Sequence, residues 1–362
     1  MSYRIFVINP GSTSTKLAYF EDENKLFETN VFHDSSELAK YPNINDQLPY
    51  RKKVIFDFLR ENQIDLKGID AIVGRGGASY SLESGVYEIT DLLLRDTIEA
   101  KSGVQHPSSL GPQLARELQN VYGGKAFIVD SPMTDEFQEV ARITGIKGLY
   151  RQSHLHALNM KATARLYCKE HDVSYSDSNF IVCHIDGGMS ISAHKNGFII
   201  DGTDAAGGEG PFTPTRSGAI DVVAFTEFAK LNSITDTKKL ATRAGGFVSH
   251  FATSNADTVH DLVLSGDSYA SLVWEALSYN ICKHIGSMAT VLNGKVDAII
   301  LGGGLLRFDD LCARIRESCS WIAPIYFYPG EYEHEAMAAG ALRVLKGEEK
   351  LKIYTGKPVY AK

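Results

Sequence analysis

Residues 9–16 place four hydroxyl side chains, one amide and one lysine in a single tight turn between the apolar segments 5–8 and 17–20. Backbone N–H groups and side-chain donors that converge in such a turn form a nest for phosphate. A P-loop would require a second glycine before its lysine and a helix after it, whereas residues 17–20 favour a returning strand. The segment therefore predicts a strand–turn–strand phosphate site, with an ordinary hydroxyl-rich hairpin turn as the alternative. Its candidate nucleotide-binding residues are Asn9, Ser12, Ser14 and Lys16.

The same arrangement occurs again in residues 180–193, where an apolar strand is followed by a glycine turn and an alternating strand. Asn9 corresponds to Asp186 in this second copy, and Gly11 corresponds to Gly188. Two copies that begin at corresponding places in the two halves of the chain indicate two related nucleotide-clamping domains. The predicted nucleotide contacts of the second copy are Gly187 and Gly188.

A third glycine turn follows the apolar run 296–301. Consecutive glycines after a buried strand allow positive φ angles and a close approach of the backbone to a ligand. We expect a nucleotide contact at this point, and a flexible turn is the alternative. The glycines concerned are Gly302, Gly303 and Gly304.

Two arginines lie in glycine- and hydroxyl-rich loops. Arg216 lies within residues 213–218, after a glycine-rich segment, and Arg75 lies between glycines after the predicted strand 69–73. A planar guanidinium group in a rigid loop can bridge carboxylate and phosphoryl oxygens. Both arginines are candidate catalytic residues, and an ordinary surface arginine is the alternative for each.

Asp130 stands at the end of the predicted strand 126–129. Open α/β sheets place ligand-binding residues at the ends of their strands, so Asp130 is a third candidate. The alternative is a helix N-cap, because a serine and a proline follow it directly.

The composition limits the possible functions. The 362 residues are enough for two domains with real cores. A formal net charge of −7 and a pI near 5.9 argue against nucleic acid or an anionic membrane as the main partner. The five cysteines include no CxxC pair, which indicates reduced thiols in the cytosol rather than disulfides or zinc. No apolar run approaches ~18 residues, and we expect no signal peptide because the N-terminus enters a strand at once.

Short apolar strands alternate with segments of helical periodicity. Residues 54–59 have helical spacing before the strand 69–73, and residues 277–292 predict a long helix before the strand 296–301. This alternation predicts an α/β fold with largely parallel sheets. We expect the domain boundary near residues 145–153.

In this order and spacing, the motifs resemble those of the acetate and butyrate kinase family, within the actin and sugar-kinase superfamily. The resemblance covers nearly the whole chain, and segments 74–77 and 153–159 favour the butyrate branch. It implies two actin-like (ribonuclease H-like) domains with a nucleotide cleft between them. The first would be residues 1–150 together with a C-terminal helix at about 333–362, and the second would be residues 151–332. The other motifs that carry the resemblance are 9–16, 130–132, 184–188, 215–218, 302–304 and 331–335.

The resemblance further implies ATP or ADP and Mg²⁺ as cofactors. Asp130 matches the catalytic aspartate of the family, and we expect it to position Mg²⁺ or its waters. Glu335 resembles the metal-associated glutamate, with Glu331 close enough to replace it and a solvated helix start as the alternative for either. Asn9 completes the predicted metal group. The adenosine is expected to contact the second and third glycine turns, with Asp221 as a further contributor.

In the acetate branch, a histidine near this chain's segment 150–156 contacts the transferring phosphoryl group. Tyr150, Arg151, His154 and His156 all lie in this stretch. We favour His156, which precedes a predicted helix, and a core or capping histidine is an equal alternative. The spacing of His154 and His156 also suggests a metal pair, although no third ligand is near in sequence.

An acyl kinase transfers the γ-phosphoryl group of ATP to a carboxylate, reversibly, to give an acyl phosphate. A carboxylic acid with a pKa of ~4–5 is already ionised at neutral pH, so the reaction needs cations and oriented donors rather than a general base. The resemblance implies butyrate or a branched C4–C5 acid as the substrate, and a homodimer or higher homo-oligomer. The alternatives are an acetate or propionate kinase, a superfamily ATPase, or a sugar kinase, which would need a carboxylate base.

Overall fold

A computed structural model describes residues 2–103, 106–204 and 207–360 of the chain. The chain forms two compact units. The first unit comprises Met1–Asp135 and Tyr332–Lys362, and the second comprises Glu136–Glu331. Strands and helices alternate in both units, which confirms the predicted α/β class. Within the described ranges, no helix is both long enough and apolar enough to cross a membrane.

The strands of the described residues are, in chain order, β1 Arg4–Pro10, β2 Ser14–Glu21, β3 Asn24–Phe32, β4 Ala71–Gly74, β5 Val86–Glu88, β6 Lys125–Val129, β7 Asn179–Ile185, β8 Met189–Lys195, β9 Phe198–Gly202, β10 Ala298–Gly303 and β11 Ile325–Pro329. The helices are α1 Ser35–Leu38, α2 Leu48–Glu61, α3 Asp91–Ile98, α4 Leu110–Tyr122, α5 Glu139–Arg142, α6 Ala157–His171, α7 Val222–Leu231, α8 Thr237–Thr242, α9 Gly246–Phe251, α10 Ala256–Leu264, α11 Ser268–Val291, α12 Asp309–Cys319 and α13 Glu333–Leu345.

The first unit is built on a mixed sheet with the strand order β3-β2-β1-β4-β6-β5. Ile5, Phe6 and Val7 are fully buried, because β1 lies inside the sheet and both α4 and α13 pack on it. Gly340 of α13 approaches so closely that a Cβ atom there would lie 2.4 Å from a methyl group of Val129. The last helix of the chain therefore forms part of the core of the first unit.

The second unit repeats this architecture. Its sheet has the order β11-β10-β7-β8-β9, with α6 packed on β7 and β10 and α11 packed mainly on β8. The series β9-β8-β7-β10-β11 matches β3-β2-β1-β4-β6 in chain order and in strand direction. The recurrence of the first motif in the second half of the sequence therefore reflects a repeated sheet.

The prediction of largely parallel sheets is wrong. In each unit the first three strands form an antiparallel meander, and only two neighbouring pairs of the sheet are parallel. The reason is the length of the connections, since strands joined by turns of a few residues can pair only in the antiparallel direction.

The two units divide after Asp135, which is earlier in the chain than the predicted boundary. Phe137 is buried in the same cluster as Leu155, and the Gln138 N–H group donates to the Ile200 carbonyl at 3.0 Å. This segment is thus attached to β9 through long-range contacts. No change in composition marks such a boundary, so it was not visible in the sequence.

Candidate active site

The first glycine turn connects β1 to β2. The Gly11 N–H group donates to the Ser14 carbonyl at 2.8 Å, and the strand register pairs Asn9 with Lys16. Ser12 is exposed in the turn and Ser14 is buried. The predicted strand–turn–strand geometry is confirmed, and nucleotide binding by these residues stays a prediction.

Three polar side chains meet beside this turn. Asn9 Nδ2 donates to Glu333 Oε2 at 2.6 Å, and Arg75 Nη2 lies 3.9 Å from Glu333 Oε1. Arg75 is only 7% exposed, and its Nη1 atom has no hydrogen-bond partner among the described residues. Burial lowers the pKa of Arg75, and the carboxylates of Glu333 and Asp130 oppose that shift. Arg75 is therefore a buried guanidinium with an open donor, suited to an anionic ligand, and not a surface arginine.

Asp130 follows β6 directly and is 1% exposed. Its φ angle of 37° lies near the left-handed region, which aspartate and asparagine enter more readily than most residues. Its Oδ1 atom accepts a hydrogen bond from the Gly85 N–H group at 2.8 Å. No helix begins at residues 131–134, so the alternative of a helix N-cap is wrong. The backbone instead holds a buried carboxylate whose charge reaches Arg75.

The first turn of α13 contains two glutamates, Glu333 and Glu335, which have different contact partners. Glu335 Oε1 lies 2.7 Å from Lys25 Nζ, and its side chain is 39% exposed. Glu333, which sequence analysis missed, is the glutamate that contacts Asn9. Residues two positions apart lie about 200° apart around a helix, so the two carboxylates face different neighbours. In a helix that begins at Glu333, this glutamate lies on the same face as Met337, one turn later, and Met337 is fully buried against the sheet. The position of the helix start is therefore the signal that could have distinguished the two glutamates. Glu331 precedes the helix and belongs to the second unit.

The second and third glycine turns are joined within the second unit by Asp186. Its Oδ1 atom accepts from the Gly187 N–H group at 2.6 Å, and its Oδ2 atom accepts from the Gly304 N–H group at 2.9 Å. Gly303 has a φ angle of 121°, and a Cβ atom there would lie 2.3 Å from a carbonyl oxygen of β7. Gly302 and Gly303 end β10, so the alternative of a flexible turn is wrong for these two glycines.

Arg216 lies directly against the second glycine turn. A Cβ atom at Gly188 would lie 2.6 Å from Arg216 Nη1, so glycine at this position makes room for the guanidinium group. Thr213 Oγ1 accepts from the Arg216 N–H group at 3.1 Å, and the Thr213 N–H group donates to the Arg216 carbonyl at 3.0 Å. Within the described ranges, Arg216 Nη1 has no hydrogen-bond partner. Burial lowers the pKa of Arg216, and the carboxylate of Asp204 opposes the shift.

The segment 150–156 is divided among separate contacts. Arg151 Nη1 pairs with Asp201 Oδ1 at 2.8 Å, and Arg151 Nη2 lies 3.0 Å from Glu209 Oε1. His154 Nδ1 lies 3.1 Å from Asp204 Oδ2, the same carboxylate that acts on Arg216. Asp204 therefore lies between His154 and Arg216, whereas Arg151 pairs with the carboxylates of Asp201 and Glu209.

His156 precedes α6 at its N-cap position. Its Nδ1 atom lies 2.8 Å from Ser190 Oγ, and its ring centroid is 4.3 Å from that of His184. Among the residues that the structure describes, no group of three histidine, cysteine or acidic side chains is arranged to hold a metal ion. The suggested metal pair therefore gains no third ligand in the fold. Tyr150 is bridged to Ile143 at the backbone.

Asp221 is the N-cap residue of α7, and its Oδ1 atom accepts from the Ala224 N–H group at 2.7 Å. The structure thus gives Asp221 a local capping role. A contact with adenosine stays a prediction.

Comparisons with known proteins agree with the resemblance seen in the sequence. Residues 146–318 match the model of the acetokinase family. The chain is 43% identical to "Butyrate kinase 2" of Clostridium acetobutylicum over 98% of this chain and 100% of that protein. It is 42% identical to a "Probable butyrate kinase" of Clostridium botulinum over the same shares.

Solved structures show the same fold at low sequence identity. The acetate kinase of Porphyromonas gingivalis matches with a TM-score of 0.78 at 18% identity, over 95% of this chain and 100% of that chain. A propionate kinase from Francisella tularensis matches with a TM-score of 0.70 at 18% identity, over 93% and 98% of the two chains. These similarities confirm the predicted architecture of two actin-like domains and the predicted family, and the chain belongs to the acetate and butyrate kinase family.

Proposed function

We propose that the protein transfers the γ-phosphoryl group of ATP to butyrate or a branched C4–C5 carboxylate, reversibly, to give the acyl phosphate and ADP. The observation that carries this proposal is the pair of partly or fully buried guanidinium groups, Arg75 and Arg216, each with an open Nη1 donor. Each unit thus holds one such cation, and the reaction involves two anions, a carboxylate and a phosphoryl group, whose charges need to be neutralised.

Each arginine has a distinct role in the proposal. Arg216, beside the second glycine turn, neutralises charge on the transferring phosphoryl oxygens. Arg75, beside Glu333 and in the field of Asp130, holds the substrate carboxylate. The nucleophile is ionised before it binds, so no residue has to remove a proton. His156 contributes a donor toward the phosphoryl group, with its ring fixed by Ser190 and His184.

Three oxygen-bearing side chains of the first unit, Asn9, Asp130 and Glu333, support a proposed Mg²⁺ site. Asn9 and Glu333 are in direct contact, and Glu333 and Asp130 both act on Arg75. These donors fit Mg²⁺, which binds proteins through one or two carboxylates and completes its shell with water and substrate phosphates. We propose that Asn9, Asp130 and Glu333 hold the ion, with Glu335 as the alternative glutamate. When bound, Mg²⁺ supplies charge neutralisation on the phosphate oxygens.

The nucleotide is proposed to use the glycine turns. The turn after β1, with Asn9, Ser12, Ser14 and Lys16, binds phosphates through its N–H groups and side-chain donors. The adenosine lies against Gly187, Gly188 and Gly302–Gly304, where the absence of side chains permits close approach. The link from Asp186 to the Gly304 N–H group keeps these two turns in a fixed relation.

The substrate proposal is tested by an ATP-dependent hydroxamate assay across C2 to C6 acids, with glycerol and hexoses as controls. Each buried CH₂ group contributes about 0.8 kcal/mol, so two extra methylenes favour butyrate over acetate by roughly tenfold in kcat/KM. A kcat/KM for acetate equal to or above the values for butyrate and isobutyrate would leave only a carboxylate kinase of unspecified chain length. Phosphorylation of a hexose would instead favour a sugar kinase.

The two glutamates of α13 provide a matched comparison. Glu333→Gln keeps the contact with Asn9 but removes a charge from the proposed metal group, and we expect kcat to fall by at least about tenfold and the Mg²⁺ requirement to rise. Glu335→Gln removes only an exposed pair with Lys25, worth about 0–1 kcal/mol, so its kinetics should stay within about twofold of wild type. Magnesium titrations of both variants would decide, and the reverse ranking would identify Glu335 as the metal ligand.

We also propose a homodimer or higher homo-oligomer. The support is α7, which leaves the apolar residues Val222, Val223, Phe228 and Leu231 more than half exposed. Large apolar side chains concentrated on one exposed element are typical of interfaces. Sedimentation of the purified protein as a monomer at micromolar concentration would exclude this assembly.

A further inference from the structure

Arg51 is a buried cation directly behind the first glycine turn. It lies in α2 and is 0% exposed. Its Nη2 atom donates to the Ser12 carbonyl at 3.2 Å, and its Nη1 atom donates to the Ser14 carbonyl and to Thr15 Oγ1, each at 3.3 Å. Its Nε atom donates to Gln47 Oε1 at 3.0 Å. The guanidinium group thus contacts neutral acceptors, three of which belong to the turn and the start of β2.

The charge of Arg51 has no counter-ion among the residues that the structure describes. Within residues 2–103, 106–204 and 207–360, no carboxylate pairs with it. Burial lowers the pKa of Arg51 to about 10, so the group stays protonated at neutral pH. Burial and, secondarily, the charge of Arg51 lower the pKa of nearby His33 to about 4, which keeps that imidazole neutral. A buried charge without a partner is costly in the free protein, and an anionic ligand would relieve that cost.

Three carbonyl groups at the turn, those of Ser12, Thr13 and Ser14, accept hydrogen bonds from the protein. Ser12 and Ser14 accept from Arg51, and the Thr13 carbonyl accepts from the His33 N–H group at 2.9 Å. In a planar trans peptide the N–H bond points opposite to the C=O bond. A carbonyl held toward α2 therefore leaves the following N–H group on the other side. This orientation removes repulsive oxygens from a phosphate site, and at residue 13, which precedes β2, it leaves the N–H group on the side of that site.

We propose that Arg51 is a positioning residue for the nucleotide phosphates, which holds the carbonyl groups of residues 12 and 14 inward and supplies a positive charge that the phosphates balance. The inference rests on the proposed function in one respect, namely that this turn receives the phosphates of ATP. The ligand chemistry is that of a polyphosphate chain, whether it belongs to a nucleotide or is free. Arg51 acts through the turn and through its positive charge, since four of its five N–H donors bond to acceptors of the protein.

The test compares Arg51→Gln and Arg51→Lys with Lys53→Gln. Lys53 lies on the same helix and has a side chain 76% exposed, paired only with Asp57, so Lys53→Gln controls for the loss of a cation from α2. Titration calorimetry of ATP, ADP and adenosine would be carried out at low and high salt, together with steady-state kinetics. We expect Arg51→Gln to weaken ATP binding by about 10- to 100-fold, ADP binding by less, and adenosine binding by less than twofold. Arg51→Lys should be intermediate and Lys53→Gln unchanged.

A folded Arg51→Gln protein that binds ATP within threefold of wild type would overturn the inference. An equal loss for adenosine would also overturn it, because a merely structural defect does not distinguish ligands by their phosphates. If the Gln variant does not fold, the Arg51 Nε–H resonance of the wild-type protein can be followed by NMR, with its assignment taken from Arg51→Lys. It should shift on addition of tripolyphosphate and not of adenosine, and no shift with tripolyphosphate would contradict the proposal.

The wild-type assays separate this inference from the proposed function. A wild-type protein that binds ATP but phosphorylates no carboxylate would remove the proposed function and leave the role of Arg51 in phosphate binding intact. Normal carboxylate kinase activity with unchanged ATP affinity in Arg51→Gln would remove the inference alone.

Discussion

Replacement of Arg216 by alanine is expected to lower kcat by about 10²–10⁴ while ADP binds with nearly wild-type affinity. The guanidinium group is held against Gly188 with an open donor, so its loss removes a preorganised charge from the transferring phosphoryl group. The loop should survive the substitution, because Thr213 holds it through contacts with the backbone of residue 216. The ground-state complex therefore loses little, and the transition state loses most of the effect.

The measurement is steady-state kinetics in the hydroxamate assay together with ADP calorimetry. Arg216→Lys is the matched variant, since it keeps the charge but not the planar fork, and its kcat should lie between those of wild type and Arg216→Ala. Turnover of Arg216→Ala within a factor of three of wild type would remove Arg216 from the mechanism.

Asp130→Asn is expected to lower activity by about 10²–10³, and higher Mg²⁺ should restore part of it if the carboxylate acts through the metal. Asparagine is the least disruptive replacement, since it tolerates the positive φ angle and can still accept from the Gly85 N–H group. The variant also leaves Arg75 with Glu333 as its remaining acidic neighbour. The KM of the carboxylate substrate should therefore change as well.

Activity would be measured as a function of Mg²⁺ and of pH, with the exposed Asp91→Asn as the control. A shared pH profile for wild type and Asp130→Asn is expected, because no proton has to be removed from an ionised carboxylate. A loss that does not respond to Mg²⁺, with a displaced pH profile, would indicate base chemistry of the kind that sugar kinases require.

Local residue patterns were sufficient to predict the repeated strand–turn–strand motif and its glycine turns, but not the directions of the strands in the sheets. The buried segment 5–8 and its counterpart 180–185 are strongly apolar, and the turn that follows each is rich in small or hydroxyl residues. Gly303 is required by a close contact with backbone atoms and by its positive φ angle, and Gly188 makes room for the guanidinium group of Arg216. The residue type alone therefore indicated both positions. Arg216 was found for a similar reason, since its loop is defined by neighbours within three residues.

Long-range contacts could not be predicted in this way. Glu333 reaches Asn9 across 324 positions of sequence, and the identity of the glutamate depends on the residue at which α13 begins. Arg51 contacts Ser14 across 37 positions, from a helix whose local sequence has no functional motif. In both examples, the contact partner of a charged side chain is determined by tertiary packing, which local sequence does not reveal.

Helix α13 packs on the sheet of the first unit but follows the second unit in the sequence, and this affects how the chain folds during synthesis. When residues up to Asp135 have left the ribosome, the β1–β4–β6 face that will receive α13 is still uncovered, and Asn9 lacks its glutamate. The intervening second unit, Glu136–Glu331, takes about 10–40 s to translate at ~5–20 residues per second. During that interval the nascent chain displays an apolar sheet face, which is the kind of surface that chaperones bind and that aggregates. Premature termination anywhere before α13 would thus yield a chain whose first unit is incomplete, however well the second unit has folded.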